Sequence, residues 1–269
     1  MKIGNREIDL NARTYIMGIL NVTPDSFSDG GKFNEVEAAV IQAKKLVEDG
    51  ADIIDIGGES TRPGATYVTE EDEIKRVVPI IKAIKKELNV LISIDTYKSK
   101  TAEEAIIAGA DIINDVWGAK YDGTMAAIAS KYNVPIVLMH NRRDENYKNF
   151  LENVVADINE SINMVLEAGV KKENIILDPG IGFAKSHEEN LLLMNNLEIV
   201  KNLGYPVLLG TSRKRIIGLT LDLPVDERVE GTIATTVIGI SKGCEIIRVH
   251  DVLENKRAAV MTDTILKTK

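Results

Sequence analysis

The chain has little of several features that would each point to a class of protein. It has one cysteine, Cys244, in 269 residues, which excludes an internal disulfide framework and fits a reducing compartment. Its formal net charge is −8, so the basic excess of a general nucleic-acid binder is missing. No apolar run reaches membrane-spanning length, and residues 1–13 lack the apolar core of a signal peptide. These absences predict a soluble cytoplasmic protein that binds neither nucleic acid nor membrane.

Several binding motifs are missing as well. No G-x-G-x-x-G opens a helix after the first apolar run, and no G-x-x-x-x-G-K-[ST] occurs, so dinucleotide and P-loop functions lose support. One cysteine and three scattered histidines do not predict a structural zinc site. His187, in "KSHEEN", follows Ser186 and is interpreted with it as the start of a helix.

What the chain does have is eight short apolar runs, rich in Ile, Val and Leu and nearly continuous in hydrophobicity. Such runs are typical of parallel strands covered on both faces. In order they are "TYIMGILN", "DIIDIGG", "VLISIDT", "DIINDVW", "PIVLMH", "IILDPG", "PVLLGTS" and "EIIRVHD". Segments of helical period separate them, without Pro- or Ser-rich linkers. The pattern predicts an α/β fold, a (β/α)8 TIM barrel forming a single domain over residues 1–269, with an open doubly wound sheet as the alternative.

Polar residues cluster where these runs end, and in such a barrel the functional sites lie at the C-terminal ends of the strands. The strand-end residues are Asn21, Asp55, Asp95, Asn114, Asp115, His140, Asp178, Arg248 and His250. One interpretation is that acidic and basic side chains merely neutralise one another inside the barrel. Because all eight runs contribute to the pattern, we favour a binding site.

The residue types indicate what such a site would hold. Short carboxylates and amides can read the edge of a flat heterocycle with several N–H donors and acceptors. Those residues are Asp95, Asn114 and Asp178. Cationic side chains suit a phosphate-bearing group. Those residues are Arg62, Lys214, Arg248 and His250.

Seven segments carry a resemblance to a known family. They are "MGILNVTPDSFSDGG", "DIGGESTRPGA", "SIDT", "INDVWG", "DPGIGFAK", "LLGTSRKR" and "RVHDV". In this order, over essentially the whole chain, they resemble the dihydropteroate synthases, pterin-binding barrels of folate biosynthesis. The resemblance implies a transferase that condenses para-aminobenzoate with hydroxymethyl-dihydropterin pyrophosphate, giving dihydropteroate and pyrophosphate. It also implies Mg²⁺ as cofactor, a homodimer, and sulfonamides, which mimic aminobenzoate, as inhibitors.

The same resemblance implies a role for each site residue. Pterin binding falls to Asp95, Asn114, Asp178, Lys214, Arg248 and Met139. Pyrophosphate binding falls to Asn21, Arg62, Arg248 and His250, with Asn21 also at the metal. Aminobenzoate binding falls to Thr61, Pro63, Phe183, Ser212 and Lys214. The catalytic residues are Asn21, Arg62, Lys214 and His250. Asp25, Ser26 and Phe27 would lie in a lid loop that excludes water from the site.

Two departures from the family pattern stand out. Ala184 in "GIGFAK" occupies a position where the family often has glycine, and its methyl group is expected to narrow that loop slightly. After His140 the chain reads "NRRDENY", where the family commonly has Met and Gly. Residues 141–143 are therefore expected to form a solvated charged loop.

The residues suit a dissociative reaction, in which loss of pyrophosphate leaves a cation conjugated into the pterin ring. Two alternatives remain open. A methyltetrahydrofolate:corrinoid methyltransferase-like barrel would share the pterin residues but would not need "STRPG", "TSRKR" or the pair of Arg248 and His250. A non-catalytic pterin-binding protein should have lost some of the cationic strand-end residues.

Overall fold

The centre of the molecule is a ring of parallel strands. The structure, a computed structural model, describes residues 1–22, 31–60 and 66–268. The ring strands in these ranges are β3 (Tyr15–Asn21), β4 (Ile53–Gly57), β5 (Leu91–Asp95), β6 (Ile112–Asp115), β7 (Ile136–Met139), β8 (Ile175–Asp178), β9 (Leu208–Leu209) and β10 (Ile246–Val249). They pair in the order β8-β7-β6-β5-β4-β3-β10-β9, and a parallel bridge between Leu177 and Val207 joins the two ends. The predicted (β/α)8 barrel is confirmed, and the open sheet is wrong.

Helices surround the ring and bury one face against it. Their bounds are α1 (Gly31–Glu48), α2 (Glu70–Glu87), α3 (Ser99–Ala108), α4 (Met125–Tyr132), α5 (Phe150–Glu167), α6 (His187–Asn195), α7 (Glu198–Lys201), α8 (Arg215–Leu221), α9 (Val229–Ser241) and α10 (Val252–Lys267). Ala43, Val77 and Ile81 on the helices pack with outward-facing Ile54 and Ile92 in one buried cluster. No helix in the described ranges is both long and apolar enough to cross a membrane.

Helix ends follow the capping signals in the sequence. Ser186 caps α6 through a capping box, accepting from the Glu189 N–H while the Glu189 carboxylate accepts from the Ser186 N–H. His187 is the first residue of that helix, which confirms its interpretation as a helix-start residue. α3 ends at Gly109 in the left-handed conformation, with φ of 118°.

Strand alternation sorts the side chains into an outer set and a set that faces the barrel lumen. The lumenal residues nearest the strand starts form an apolar layer: Met17, Ile53, Leu91, Ile112, Val137, Ile176, Leu208 and Ile246. Two residues further along the same strands come Asp55, Asn114, Asp178 and Arg248, and Asp95 lies four residues beyond Leu91. The lumen therefore changes from apolar to charged toward the C-terminal ends of the strands.

A hairpin that the sequence analysis did not anticipate lies at the opposite end. β1 (Lys2–Ile3) and β2 (Arg6–Glu7) pair antiparallel. Ile3 and Ile8 are buried and belong to the same cluster as the apolar layer of the lumen. The hairpin thus covers the end of the lumen where the strands begin, and we call this hairpin and the apolar layer together the barrel floor.

Candidate active site

A large cavity opens at the C-terminal ends of the strands, with a volume of about 1390 Å³. Ten residues singled out from the sequence line it: Asn21, Asp95, Asn114, Met139, Asp178, Phe183, Ser212, Lys214, Arg248 and His250. Six others, Asp25, Ser26, Phe27, Thr61, Arg62 and Pro63, lie outside the described residues. Residues from sequence segments far apart in the chain therefore lie together at one cavity, for the part of the chain that the structure describes.

Three strand-end residues, Asp55, Asp115 and His140, do not line this cavity, and the last two of them hold backbone or side-chain groups around it. Both carboxylate oxygens of Asp115 accept backbone N–H groups, from Trp117 at 2.8 Å and from Ala119 at 2.7 Å, so this side chain holds the turn after β6. His140 instead contacts Asp157 and Lys185, behind the loop that follows β8. These two are structural supports of the site.

Arg248 bridges two carboxylates inside the lumen. Its Nε donates to Asp55 Oδ2 and its Nη2 to Asp95 Oδ2, both at 2.6 Å. Asn114 Nδ2 also donates to Asp55 Oδ2, at 3.2 Å. Acidic and basic side chains therefore do neutralise one another inside the barrel, as the simpler interpretation of the sequence held. Asp55 was noted from its strand-end position but was given no role, and the structure makes it the main partner of Arg248.

Arg248 and Asn114 do not satisfy all the carboxylate oxygens of Asp55 and Asp95, so oxygens remain that can accept a hydrogen bond. Within the described residues, Asp55 Oδ1, Asp95 Oδ1 and Ser93 Oγ are buried and have no hydrogen-bond partner. Buried acceptors without a donor cost free energy, so the lumen favours a ligand that brings N–H groups. Burial raises the pKa of Asp95 to about 7, although Arg248 opposes this shift. Asp55 and Asp95 in turn raise the pKa of Arg248 above its ordinary value, against the effect of burial.

Asp178 and Lys214 are two further charged residues that line the cavity, and each affects the pKa of the other. Asp178 Oδ1 accepts from the Gly180 N–H at 2.7 Å, and burial raises its pKa against the opposing effect of Lys214. Burial lowers the pKa of Lys214 to about 8, and Asp178 counters that shift. Lys214 Nζ donates to the Ile181 carbonyl at 2.5 Å and lies 4.7 Å from the centre of the Phe183 ring. The ammonium group is thus held by a backbone carbonyl and an aromatic face, and the Asp178 carboxylate acts on it electrostatically.

At the rim, Ser212 and His250 contact each other. Ser212 Oγ accepts from the His250 backbone N–H at 3.1 Å and lies 3.0 Å from His250 Nδ1. Asn21 is the last residue of β3, and its exposed side chain faces the same cavity. Residues assigned to the aminobenzoate and to the pyrophosphate therefore meet at one side of the opening.

A buried charged cluster supports the loop after β4, and sequence reasoning missed it. Lys98 is 1% exposed and donates to Glu59 Oε2 at 2.5 Å and to Glu73 Oε2 at 2.8 Å. Glu59 Oε1 accepts from the Val68 N–H at 3.0 Å, which ties the two ends of residues 59–68 together. The sequence did contain one sign that Glu73 is buried, because it shares a helix face with the apolar Val77.

The segment after His140 is more ordered than a solvated loop. Asn141 Nδ2 donates to the Val116 carbonyl at 3.1 Å, and Arg142 Nε donates to Asp157 at 2.6 Å, so the expectation is wrong for these two residues. Arg143 is exposed, as expected. Ala184 has φ of 46°, a left-handed conformation that glycine adopts with less strain.

The raised pKa of Asp95 predicts a pH effect on stability. A group whose pKa is higher in the folded state contributes stability that is fully present below its unfolded pKa, near 3.9, and is lost as the pH rises through about 7. The free energy of unfolding of the unaltered protein should therefore fall relative to that of Asp95→Asn between pH 5 and 8, by on the order of 1–3 kcal/mol. Urea unfolding at both pH values measures this difference. Glu71→Gln, at an exposed position on α2, is the control, and an equal pH response in all three proteins would contradict the assignment.

The chain matches one family of known proteins over most of its length. Residues 17–250 match the family of pterin binding enzymes. The chain is 64% identical to the dihydropteroate synthase of Clostridium beijerinckii, over 99% of this chain and 100% of that protein. It is similar to the crystal structure of the dihydropteroate synthase of Clostridium difficile in the presence of pteroic acid, with a TM-score of 0.95, 53% identity, and coverage of 97% and 100% of the two chains.

Two further solved structures are similar. The Xanthomonas albilineans dihydropteroate synthase with 4-aminobenzoic acid has a TM-score of 0.91 and 40% identity, covering 96% of this chain and 94% of that one. The Yersinia pestis dihydropteroate synthase with a sulfonamide drug complex has a TM-score of 0.93 and 37% identity, covering 100% and 99%. The similarity therefore spans the whole barrel, including the strand ends that form the cavity.

Proposed function

The chain belongs to the dihydropteroate synthase family of transferases, and from this premise we propose how its cavity carries out the reaction. Para-aminobenzoate is joined to hydroxymethyl-dihydropterin pyrophosphate, giving dihydropteroate and pyrophosphate, within a single domain spanning residues 1–269. The observation that carries the proposal is the meeting, in one cavity, of the unpaired Asp95 Oδ1 with the cationic Lys214 and Arg248 and the aromatic Phe183. Such a cavity fits a flat donor-rich ring at its base and an anionic group at its mouth.

The pterin occupies the charged part of the lumen. Its ring edge donates N–H groups to Asp95 and Asp178 and pairs with Asn114, and Met139 packs against the ring. Arg248 lies against the ring face, where a guanidinium stacks well on an aromatic system. The free oxygen of Asp95 supports this placement, because it accepts a ligand donor without breaking the contact with Arg248.

The reaction proceeds by loss of pyrophosphate before attack by the amine. The bond between the pterin methylene carbon and the pyrophosphate oxygen breaks, and its electron pair leaves with the pyrophosphate. Asp95 and Asp178 stabilise the resulting pterin cation, while Lys214, His250 and Arg62 stabilise the departing anion. The neutral aryl amine then attacks the methylene carbon and loses its extra proton to solvent. No general base is required, and correct placement of the amine supplies much of the rate.

The residues fit Mg²⁺ as a metal carried mainly by the substrate. No group of three or more His, Cys, Asp or Glu side chains in the described ranges could hold a metal ion on its own. Mg²⁺ commonly keeps several waters and takes only one or two protein oxygens besides substrate phosphates, which matches the single amide oxygen of Asn21 at the cavity. When bound, the ion would neutralise charge on the pyrophosphate.

The aminobenzoate lies above the pterin, near the rim. Phe183, Ser212 and Lys214 form its described surroundings, and Thr61 and Pro63 are proposed for the remaining side. The ring of Phe183 offers an apolar wall, and the hydroxyl of Ser212 is polar and close to the mouth. A sulfonamide that mimics aminobenzoate would occupy the same surroundings.

The test is release of pyrophosphate from hydroxymethyl-dihydropterin pyrophosphate with Mg²⁺, with and without para-aminobenzoate. Release that depends on the amine and yields dihydropteroate supports the proposal. Binding of the pterin without release under either condition would instead support a non-catalytic pterin-binding protein. Methyl transfer from a folate to a corrinoid, without use of the pyrophosphate substrate, would support the methyltransferase alternative.

We also propose that the chain forms a homodimer through α9 and α10, in the cytoplasm. The single, buried Cys244 suits a reducing compartment. Apolar side chains on the two helices are exposed, among them Ile238, Met261 and Ile265. Met261 and Ile265 are one helical turn apart and so share a face that a second copy can cover.

Charged substitutions on this face should give a monomer. Met261→Glu combined with Ile265→Glu places two carboxylates in the proposed interface, where their desolvation opposes association. Sedimentation equilibrium should give a dimer mass for the unaltered chain and a monomer mass for the double variant. Ile107→Glu, at an exposed apolar position on α3, is the control and should remain a dimer. A dimer in the double variant would refute this interface.

A further inference from the structure

The loop between β8 and α6 carries Phe183 and has an unusual backbone. Gly180, Gly182 and Ala184 all have positive φ, at 70°, 86° and 46°. A Cβ on Gly180 would lie 2.0 Å from the His140 carbonyl oxygen, so only glycine fits there. A segment with three left-handed residues in five has few regular backbone hydrogen bonds, and its conformation depends on the side chains that hold it.

Lys185 holds this loop from beneath. The residue is only 8% exposed. Its Nζ contacts the Gly180 carbonyl at 2.8 Å, the Phe183 carbonyl at 2.9 Å and His140 Nδ1 at 2.8 Å. Burial lowers the pKa of Lys185 to about 7, against the effect of Asp178. In its ammonium form the side chain has three N–H donors, and these three acceptors use all of them. Lys185 therefore has no donor left for a substrate and acts on the loop.

The third acceptor is itself fixed. His140 Nε2 lies 3.1 Å from Asp157 Oδ2, and Arg142 Nε donates to the same oxygen at 2.6 Å. Burial lowers the pKa of His140 to about 4, against the effect of Asp157, so the imidazole is neutral. A neutral imidazole that accepts at Nδ1 from Lys185 carries its proton on Nε2 and donates to Asp157. Lys185 is thus attached to a rigid network beyond the loop.

Tyr147 holds the loop from its outer side. Its hydroxyl donates to the Ala184 carbonyl at 2.7 Å. Its ring packs edge to face on Phe150, with centroids 4.9 Å apart, at the start of α5. Tyr147 lies in the segment between β7 and α5, so this hydrogen bond fastens the loop after β8 to the segment after β7.

We propose that Lys185 and Tyr147 are positioning residues that fix the backbone of residues 180–184 and thereby place Phe183 as a wall of the aminobenzoate site. The inference rests on the proposed function, which assigns Phe183 to aminobenzoate. Five of the six proposed pterin residues lie on the strands, and the sixth, Lys214, depends on this loop through the Ile181 carbonyl. Loosening the loop should therefore affect aminobenzoate more than the pterin. A purely structural role would lower the amount of folded enzyme and spare both Michaelis constants.

The experiment is a comparison of steady-state constants for the full-length enzyme with Mg²⁺. Lys185→Met keeps much of the side-chain volume but removes all three donors, and it should raise KM for para-aminobenzoate about tenfold. Tyr147→Phe removes one hydroxyl and should raise the same constant about threefold. KM for hydroxymethyl-dihydropterin pyrophosphate should change less than twofold in both variants.

Matched controls separate this effect from general loss of a lysine or a hydroxyl. Lys85→Met removes a partly buried lysine that donates to the Val90 carbonyl, next to the start of β5. Tyr132→Phe removes a hydroxyl that donates to Glu103 on the helix layer. Both should leave KM for aminobenzoate unchanged.

The outcomes that overturn the inference are definite. Equal changes in the two Michaelis constants, or no change for aminobenzoate in Tyr147→Phe, would refute the positioning role even if Lys185→Met fails to fold. Failure of the unaltered chain to form dihydropteroate would refute the proposed function instead. The two failures are therefore distinguishable in one set of assays.

Discussion

Replacing Lys214 with alanine should lower kcat at least 100-fold, which corresponds to about 2.7 kcal/mol of transition-state stabilisation. The ammonium group lies in a buried site where Asp178 opposes the effect of burial on its pKa, and its Nζ is held by the Ile181 carbonyl. A fixed cation in a low-dielectric site interacts strongly with negative charge that develops during the reaction. Under the proposed function, that charge forms as pyrophosphate departs.

Single-turnover kinetics with saturating substrates measure this loss without interference from product release. Lys75→Ala, at an exposed position on α2 outside the cavity, is the matched control and should keep full activity. A loss of less than threefold in Lys214→Ala would remove this residue from the proposed mechanism. The variant should still fold, since the unaltered protein already bears the cost of desolvating this lysine.

Replacing Arg248 with methionine should lower the stability of the fold as well as the turnover. It leaves Asp55 and Asp95 in the lumen without their shared cation, and removing one partner of a buried ion pair typically costs about 3–5 kcal/mol of stability. Turnover should also fall at least 100-fold, because the guanidinium is proposed to lie against the pterin ring. Buried carboxylates without a cation favour their protonated form, so the stability deficit should grow as the pH rises.

Urea unfolding with the double variant Arg248→Met/Asp55→Asn tests the cause. Removing one of the two uncompensated charges should restore part of the lost stability while activity stays low. Arg13→Met is the matched control, because Arg13 pairs with Asp52 where the arginine side chain is 42% exposed, and exposed pairs contribute at most about 1 kcal/mol. An Arg248→Met variant as stable as the unaltered protein would contradict a stabilising role for this bridge.

The barrel could be predicted because its causes are local in the sequence. Continuous apolar runs such as "IILD" reflect strands buried on both faces, and the period of two places residues such as Ile246 and Arg248 on one face. Strand ends in a closed parallel ring must converge, so the polar ends of eight runs predicted one site. The ten described residues that were given a role line one cavity, whereas Asp55, Asp115 and His140 do not.

The pairing inside the site could not be predicted, because it depends on distance in space between residues far apart in the chain. Arg248 and Asp55 are 193 residues apart, and several other carboxylates were equally plausible partners. Glu73 shares a helix face with the buried Val77, but nothing local in the sequence specifies Lys98 as its partner. The role of Tyr147 depends on one hydroxyl reaching one carbonyl, which no sequence pattern specifies.

The barrel floor closes the end of the lumen where the strands begin, and the described cavity opens at the other end. Ile3 and Ile8 of the N-terminal segment cover one end, so whatever reaches the base must pass the rim. Under the proposed function the pterin binds below the aminobenzoate, and an aminobenzoate that bound first would stand in its path. Under the proposed function, we therefore expect the pterin substrate to enter first and the conjugated product to leave with its aminobenzoate end leading.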